Sequence, residues 1–317
     1  LKGPHQAPVI VSLGGNALIR RGQRGTVEEQ FENASAACSF IAELSRTGAP
    51  LIVTHGNGPV VGNIVIREEA ASGLLPPAPL FISGAESVGA VGFILQQAIH
   101  NRLRKMKSPR SVAAVITQTV VDPEDPAFAN PTKPIGPFYS EAEARSLSAS
   151  RGWAMKEDSG RGFRRVVASP RPVRIVEAGV IEALAAEGVI VIAAGGGGVP
   201  VIEDASGALK GVDAVIDKDL STALLGVAVK AGLFIDLTSV DSVFLDYNGP
   251  GREAIEKMNA AEAVRYLEEG HFGEGSMAPK IGAAIKFLKG GGREVVITAP
   301  ALAEEALKGR AGTRIFP

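Results

Sequence analysis

An α/β fold, a mainly parallel sheet covered by helices on both faces and interrupted by one inserted segment, is what the 317 residues predict. Three observations carry it. Short β-branched runs recur at residues 9–13, 51–55, 112–119, 189–194, 233–237 and 295–298, each with the length and apolar continuity of a strand buried on both sides. Between them, residues 26–44, 86–107, 177–187 and 219–231 place apolar side chains at helical spacing, the alternation of βαβ units. Residues 122–172 then break the rhythm, holding seven of the 20 prolines where an even spread would put about three. That segment reads as an inserted subdomain serving as a lid, with Trp153 and Phe163 as its own small core. Its charged cluster, Arg161, Arg164 and Arg165, reads as a solvated face or as a guide for anions.

Taken in order, the elements lead into glycine-rich loops. Residues 9–13 run into Gly14-Gly15-Asn16, where bare backbone N–H groups can approach a phosphate; a tight strand-to-helix turn explains the same residues. Residues 51–55 run into His55-Gly-Asn-Gly-Pro-Val-Val-Gly62, with Pro59 suited to a first helical turn. The spacing of Gly56, Gly58 and Gly62 is one residue off the dinucleotide fingerprint. No glycine is followed by lysine anywhere in the chain, which excludes the phosphate-binding loop of P-loop nucleotidases. Residues 189–194 lead into Gly195 to Gly198, a third loop at which backbone can meet a ligand. Loops leaving the carboxyl ends of neighbouring parallel strands converge on one edge, so three of them together suggest a large anion. Asp217, Lys218 and Asp219 open the 219–231 helix; Asp219 reads as its N-cap or as a carboxylate orienting a neighbouring ammonium.

Composition narrows the classes. Lys and Arg number 33 against 34 Asp and Glu, a net charge of −1, so the basic excess that nucleic acid or an anionic membrane selects is missing. Neither is expected as a partner. The single cysteine, Cys38, rules out an intramolecular disulfide framework and a thiolate metal site, and a cytoplasmic setting is expected. Residues 47–66 lack Asp, Glu, Lys and Arg, but Pro50, His55, Asn57, Pro59 and Asn63 mark them as strand, loop and helix rather than a membrane span. No leader pattern is evident at residues 1–8. Histidines at 5, 55, 100 and 271 offer no metal cluster, and His55 is expected to pack its loop. Glycine makes up 38 of the 317 residues, well above the usual ~7%, which favours close backbone approach to a ligand.

Seven ordered segments go further: Ser12-Leu-Gly-Gly-Asn-Ala-Leu18, Thr54-His-Gly-Asn-Gly-Pro59, Asn130-Pro-Thr-Lys-Pro-Ile-Gly-Pro-Phe-Tyr139, Lys156-Glu-Asp-Ser-Gly-Arg-Gly162, Gly195-Gly-Gly-Gly-Val-Pro200, Val215-Ile-Asp-Lys-Asp219, and Glu269-Gly-His-Phe272 with Gly275-Ser-Met-Ala-Pro-Lys280. From Val9 onward the chain closely resembles the carbamate kinases of the amino acid kinase family. The resemblance implies a three-layer αβα sandwich around the sheet and reversible phosphoryl transfer between ATP and carbamate. It places the acidic substrate in the N-terminal half, the nucleotide on residues from about 206 to 317, and a protruding lid at 122–172; it also implies a homodimer. Residue by residue, Lys133, Lys218 and Lys280 become the cations around the transferred phosphoryl group, and Asp219 the carboxylate that holds lysines in place. Gly14, Gly15, Asn16, Gly56, Asn57 and Gly58 would cradle carbamate and the moving phosphate. Thr238, Tyr247 and Met277, with Lys218 and Lys280, become the nucleotide neighbours, and Mg²⁺ accompanies ATP or ADP with Asp217 as a ligand through water.

Two departures accompany the resemblance. Many relatives in the wider family carry lysine where this chain has Ser12, so Lys133 and Lys218 are expected to supply that charge. Ser239 stands where the family commonly has aspartate. A kinase for an amino-acid carboxylate such as acetylglutamate, and a non-catalytic nucleotide-binding module, are the alternatives; Ser12 and the 131–134 segment count against the first, intact Lys133, Lys218, Asp219 and Lys280 against the second.

Overall fold

The structure, a computed structural model, describes residues 6–317 except 21, 159, 248, 250 and 274, and only the backbone of Asn16. Its main sheet has eight strands in the order Lys257–Asn259, Thr313–Phe316, Glu294–Thr298, Leu233–Leu237, Val9–Leu13, Leu51–His55, Ile190–Ile192 and Val112–Ala114. Neighbours are parallel throughout except Thr313–Phe316 against Glu294–Thr298. The two short strands at one edge, Lys257–Asn259 and Thr313–Phe316, are absent from the sequence reading, because three or four residues of mixed polarity carry no buried-strand signal.

Side chains alternate across the sheet, and this parity divides the interior in two. Val9, Val11, Leu13, Leu51 and Val53 pack with the helices Val27–Leu44 and Leu80–Lys105. Ile10, Ile52 and Phe234 face the opposite layer, with the helices Lys218–Ala228 and Met277–Lys289; there the Phe234 and Phe287 rings meet edge to face at 5.7 Å. Thr26 opens the first helix with a capping box, its hydroxyl accepting from the Glu29 N–H while the Glu29 carboxylate accepts from the Thr26 N–H. The helix expected from residue 86 begins at Leu80, directly after Pro79; the chain has left its proline-rich turn by then, and nothing opposes helix at 80–85. Among the described residues no helix is long and apolar enough to cross a membrane.

The run 112–119, expected as one strand, is two. Val112–Ala114 ends the main sheet, and Gln118–Val121 joins a second sheet ordered Leu209–Gly211, Val199–Glu203, Gln118–Val121, Pro172–Ile175. Thr117 makes the transfer: its hydroxyl donates to Val115 O at 2.9 Å and accepts from Ala194 N at 2.9 Å, holding the bend against the main sheet.

Residues 122–172 leave and re-enter through two antiparallel neighbours of this second sheet, with Val121 opposite Pro172. The segment folds as a three-stranded antiparallel sheet, Lys133–Tyr139, Phe163–Val167 and Met155–Glu157, and a helix, Glu141–Arg151. Its buried residues include Ile135, Ala144, Val166, Val167 and Ala168, and Ile135 and Val167 pack onto Val65 and Leu80 of the body. Trp153 and Phe163 do not form that core. Both are half-buried, and the Trp153 ring lies between the guanidinium groups of Arg151 and Arg165 at 5.0 and 4.5 Å.

Candidate functional site

One cleft of about 1690 Å³ opens along the carboxyl ends of the central strands, large enough for a nucleotide and a small second substrate together. Gly14, Gly15, Gly56, Asn57, Gly58 and Lys133 line it together with Thr238, Tyr247, Met277 and Lys280, and the half-buried Asp217 and Lys218 with the buried Asp219 form part of its floor. The Asn16 side chain falls outside the described set.

Sheet parity determines which polar groups meet at the floor. Ser12, Asp236 and Thr54 are register partners across three adjacent strands, and each lies on the parity of Ile10, Phe234 and Ile52, facing the Lys218–Ala228 layer. All three are fully buried. Thr54 Oγ1 is 2.7 Å from Thr222 Oγ1, which anchors the helix. One turn away the Lys218 ammonium donates to Ser12 Oγ at 2.7 Å and to Asp219 Oδ1. The charge expected to compensate for Ser12 thus lies on its hydroxyl, delivered by Lys218. Lys133 ends on Asp217 Oδ2 at 3.1 Å.

Lys280, in the first turn of Met277–Lys289, donates to Asp236 Oδ2 at 2.9 Å and to both oxygens of Asp219 at 3.3 Å. Asp236 Oδ1 is 3.6 Å from the Lys218 ammonium and has no hydrogen-bond partner among the described residues. Two ammonium groups and two carboxylates therefore balance in a water-poor pocket. Burial works against the charge on Lys218, but Asp236 and then Asp219 outweigh it and hold the ammonium above its ordinary range. Burial likewise opposes ionisation of Asp219, and Lys218 with Lys280 overcomes it, keeping the carboxyl below its ordinary value.

Asp236 is the residue that sequence reasoning missed. No glycine or charge motif surrounds it; only the strand order, which sets residue 236 beside residue 12, brings it to the lysines. The helix cap is also reassigned: Asp217, not Asp219, is the N-cap, its Oδ1 accepting from the N–H groups of Asp219 at 2.9 Å and Leu220 at 3.4 Å. That frees the Asp219 carboxylate for the lysines.

The glycine loops differ in what they do. A Cβ on Gly56 would stand 2.8 Å from Gly15, so the first two loops touch backbone to backbone under the cleft. Of the third loop, Gly196 lines the cleft, while Cβ atoms at 195, 197 and 198 would collide with His55, Ile216 and Thr119. Those three glycines are needed for packing.

His55 is one of the groups they pack against. It is buried, its Nδ1 lies 3.1 Å from Gly56 O, and its Nε2 has no partner among the described residues. Burial pushes its pKa from 6.5 down to about 4, with the Lys218 charge adding to the shift. Between those values the unfolded chain binds a proton that the folded chain refuses, so stability falls as pH drops through this window, by on the order of 3 kcal/mol at its lower end. Chemical denaturation from pH 6.5 to 4 should show a steeper loss for the wild-type protein than for His55→Gln. Equal slopes would dismiss His55 as the source.

Comparison with known proteins fits this geometry. The model of the amino acid kinase family matches residues 7–299. The chain belongs to that family. Within it, the carbamate kinase of Pyrococcus horikoshii is 47% identical over 311 residues, 98% of this chain and 99% of that protein. A carbamate kinase of Trichomonas vaginalis is 45% identical over 311 residues, with 98% and 99% covered. The structure of carbamate kinase from Giardia lamblia bound to AMP-PNP superposes with a TM-score of 0.91 at 41% identity, covering 98% of each chain. Like other members of the family, the chain has the α/β kinase fold on a mainly parallel central sheet.

Proposed function

We propose that this protein is a carbamate kinase, exchanging ATP and carbamate for ADP and carbamoyl phosphate in either direction. The observation that carries the reading is the lysine pair at the cleft floor. Lys218 spends N–H groups on Ser12 and Asp219 and keeps one donor for a ligand, while Lys280 spends its three on Asp236 and both oxygens of Asp219, so each ammonium is oriented by the protein. Carbamate is already an anion and needs no general base to attack the γ-phosphoryl group. The protein's work is alignment and stabilisation of spreading negative charge, for which preoriented ammonium and backbone N–H groups are suited.

In this reading Gly14, Gly15, Asn16, Gly56, Asn57 and Gly58 cradle carbamate and the transferred phosphate. The segment from about 206 to 317 holds the nucleotide through Thr238, Tyr247 and Met277, and 122–172 is the lid that brings Lys133. Support comes from the described members of both sets lining one and the same cleft. Mg²⁺ comes with the nucleotide phosphates and needs few protein ligands. Among the described residues no three His, Cys, Asp or Glu side chains gather as a cage, and Asp217, on the cleft wall beside Lys133, fits a contact through water; when bound, the ion neutralises phosphate charge. A cytoplasmic location follows from the supply of ATP.

A coupled assay of ATP formation from ADP and carbamoyl phosphate tests the function. Turnover is expected with this pair, and none with acetylglutamate in the ATP-consuming direction. Phosphate transfer to acetylglutamate, with carbamoyl phosphate inert, would overturn the reading. We also propose a homodimer through the outer face of Leu80–Lys105, where Ile82 and Phe93 lie three turns apart and exposed. Light scattering should give twice the chain mass, and Phe93→Asp should shift it to the monomer.

A further inference from the structure

Lys133 sits on a strand that loses its ladder three residues later. Lys133, Pro134 and Ile135 pair with Val167, Val166 and Arg165, and pairing resumes only at Tyr139 with Phe163. Gly136, Pro137 and Phe138 therefore face a single residue, Arg164. This is a wide bulge, and it leaves backbone groups without strand partners. Gly136 turns through it at φ +69°, a conformation that glycine adopts without strain, and Pro137 has no N–H to give. The carbonyl of Gly136 is the group left over.

Arg164 takes it. Its Nε and Nη2 both donate to Gly136 O, at 3.2 and 2.9 Å, and its Nη1 reaches Asp158 Oδ2 at 3.2 Å. The guanidinium plane lies 5.2 Å from the Phe138 ring centroid, with Arg161 over the same ring at 4.7 Å. One planar fork thus joins the bulge, the adjacent turn and the bulge's own aromatic residue. An ammonium cannot make these contacts together. The bulge in turn rests on the body, since a Cβ on Gly62 would lie 3.9 Å from Gly136 Cα. Arg164, Gly136 and Lys133 all line the cleft.

We infer that Arg164 is a positioning residue for the phosphoryl transfer: by filling the bulge at Gly136 it fixes the strand that presents Lys133 to the cleft. The three clustered arginines are neither a solvated face nor a common guide for anions. Arg165 stacks on Trp153, Arg161 pairs with Asp158 on the outside, and Arg164 alone of the three lines the cleft. Its Nε and Nη2 are held by Gly136 and its Nη1 by Asp158, so it acts through Lys133.

The inference rests on the carbamate kinase reading, whose failure would appear first, as a wild-type protein that forms no ATP from carbamoyl phosphate. Given that turnover, a double-mutant cycle of Arg164→Ala and Lys133→Ala isolates the coupling. Arg164→Ala is expected to lower kcat at least ~10-fold, as a misplaced reacting group does, and to leave the ADP dissociation constant within about twofold. Arg164→Lys should not restore the rate. In the Lys133→Ala background, Arg164→Ala should change kcat by less than about twofold, because the residue it positions is gone. An equal loss in both backgrounds would show Arg164 acting on the substrate directly, and either that result, restoration by lysine, or an unchanged kcat in Arg164→Ala overturns the proposal. If Arg164→Ala loses its cooperative melt, Arg164→Gln, which keeps one donor for Gly136, takes its place in the same cycle.

Discussion

Lys218→Ala lowers kcat for ATP formation by at least ~100-fold, the range lost with one preoriented charge donor. The loss has two parts. The ammonium that would face the phosphoryl group disappears, and the floor changes from balanced to net negative, since Asp219 and Asp236 then have only Lys280 to offset them. An incoming phosphate meets repulsion where it met a cation. Removing one partner of a buried ion cluster also costs stability, ~3–5 kcal/mol by the usual measure, so the melt should move to lower temperature while remaining cooperative. Lys218→Met, which keeps the length without the charge, separates packing from electrostatics: its kcat should be as low as that of alanine. A folded Lys218→Ala protein within threefold of wild-type turnover would remove the residue from the mechanism.

Lys133→Ala is expected to divide the kinetics differently. Lys133 reaches the cleft from the inserted sheet, and its one ion-pair partner among the described residues is Asp217, at 3.1 Å with the lysine side chain 37% exposed. Such a half-exposed contact contributes little to stability, so the melting temperature should barely move. The effect belongs to catalysis. kcat/KM for carbamoyl phosphate should fall ~100-fold or more, as for removal of a charge donor in the transition state, with the ADP dissociation constant within about twofold. Calorimetry that finds ADP affinity lost, with turnover at saturating ADP intact, would assign Lys133 to the nucleotide instead.

The central strands, the glycine loops and Lys218 are readable in sequence because each has a local signature: a β-branched run, a strand-to-glycine junction, or a charged residue at a helix start; Lys133 and Lys280 enter only through the resemblance to the carbamate kinases. What escaped depends on neighbours far apart in the chain. Asp236 lies inside an apolar strand and reads as an oddity until strand order sets it beside Ser12. The division of 112–119 between two sheets depends on a hydrogen bond from Ala194 to Thr117, which no window around 117 contains. Trp153, expected in the core of the inserted segment, stays outside it, because a thin sheet with a single helix across it buries small and β-branched residues and leaves the ring to arginines.

Because Val121 and Pro172 stand opposite each other as strand partners, everything from 122 to 171 is spliced into the body across the width of one ladder rung. Two adjacent, hydrogen-bonded strands make a poor ball joint and a good door hinge: they resist twist and sideways slip and leave swing about a single line. An arm hung in that way would be confined to one arc. It also makes the arm a cassette, whose removal asks the body for a tight turn between two strands that already face each other and for polar replacements of Val65 and Leu80, which the arm covers.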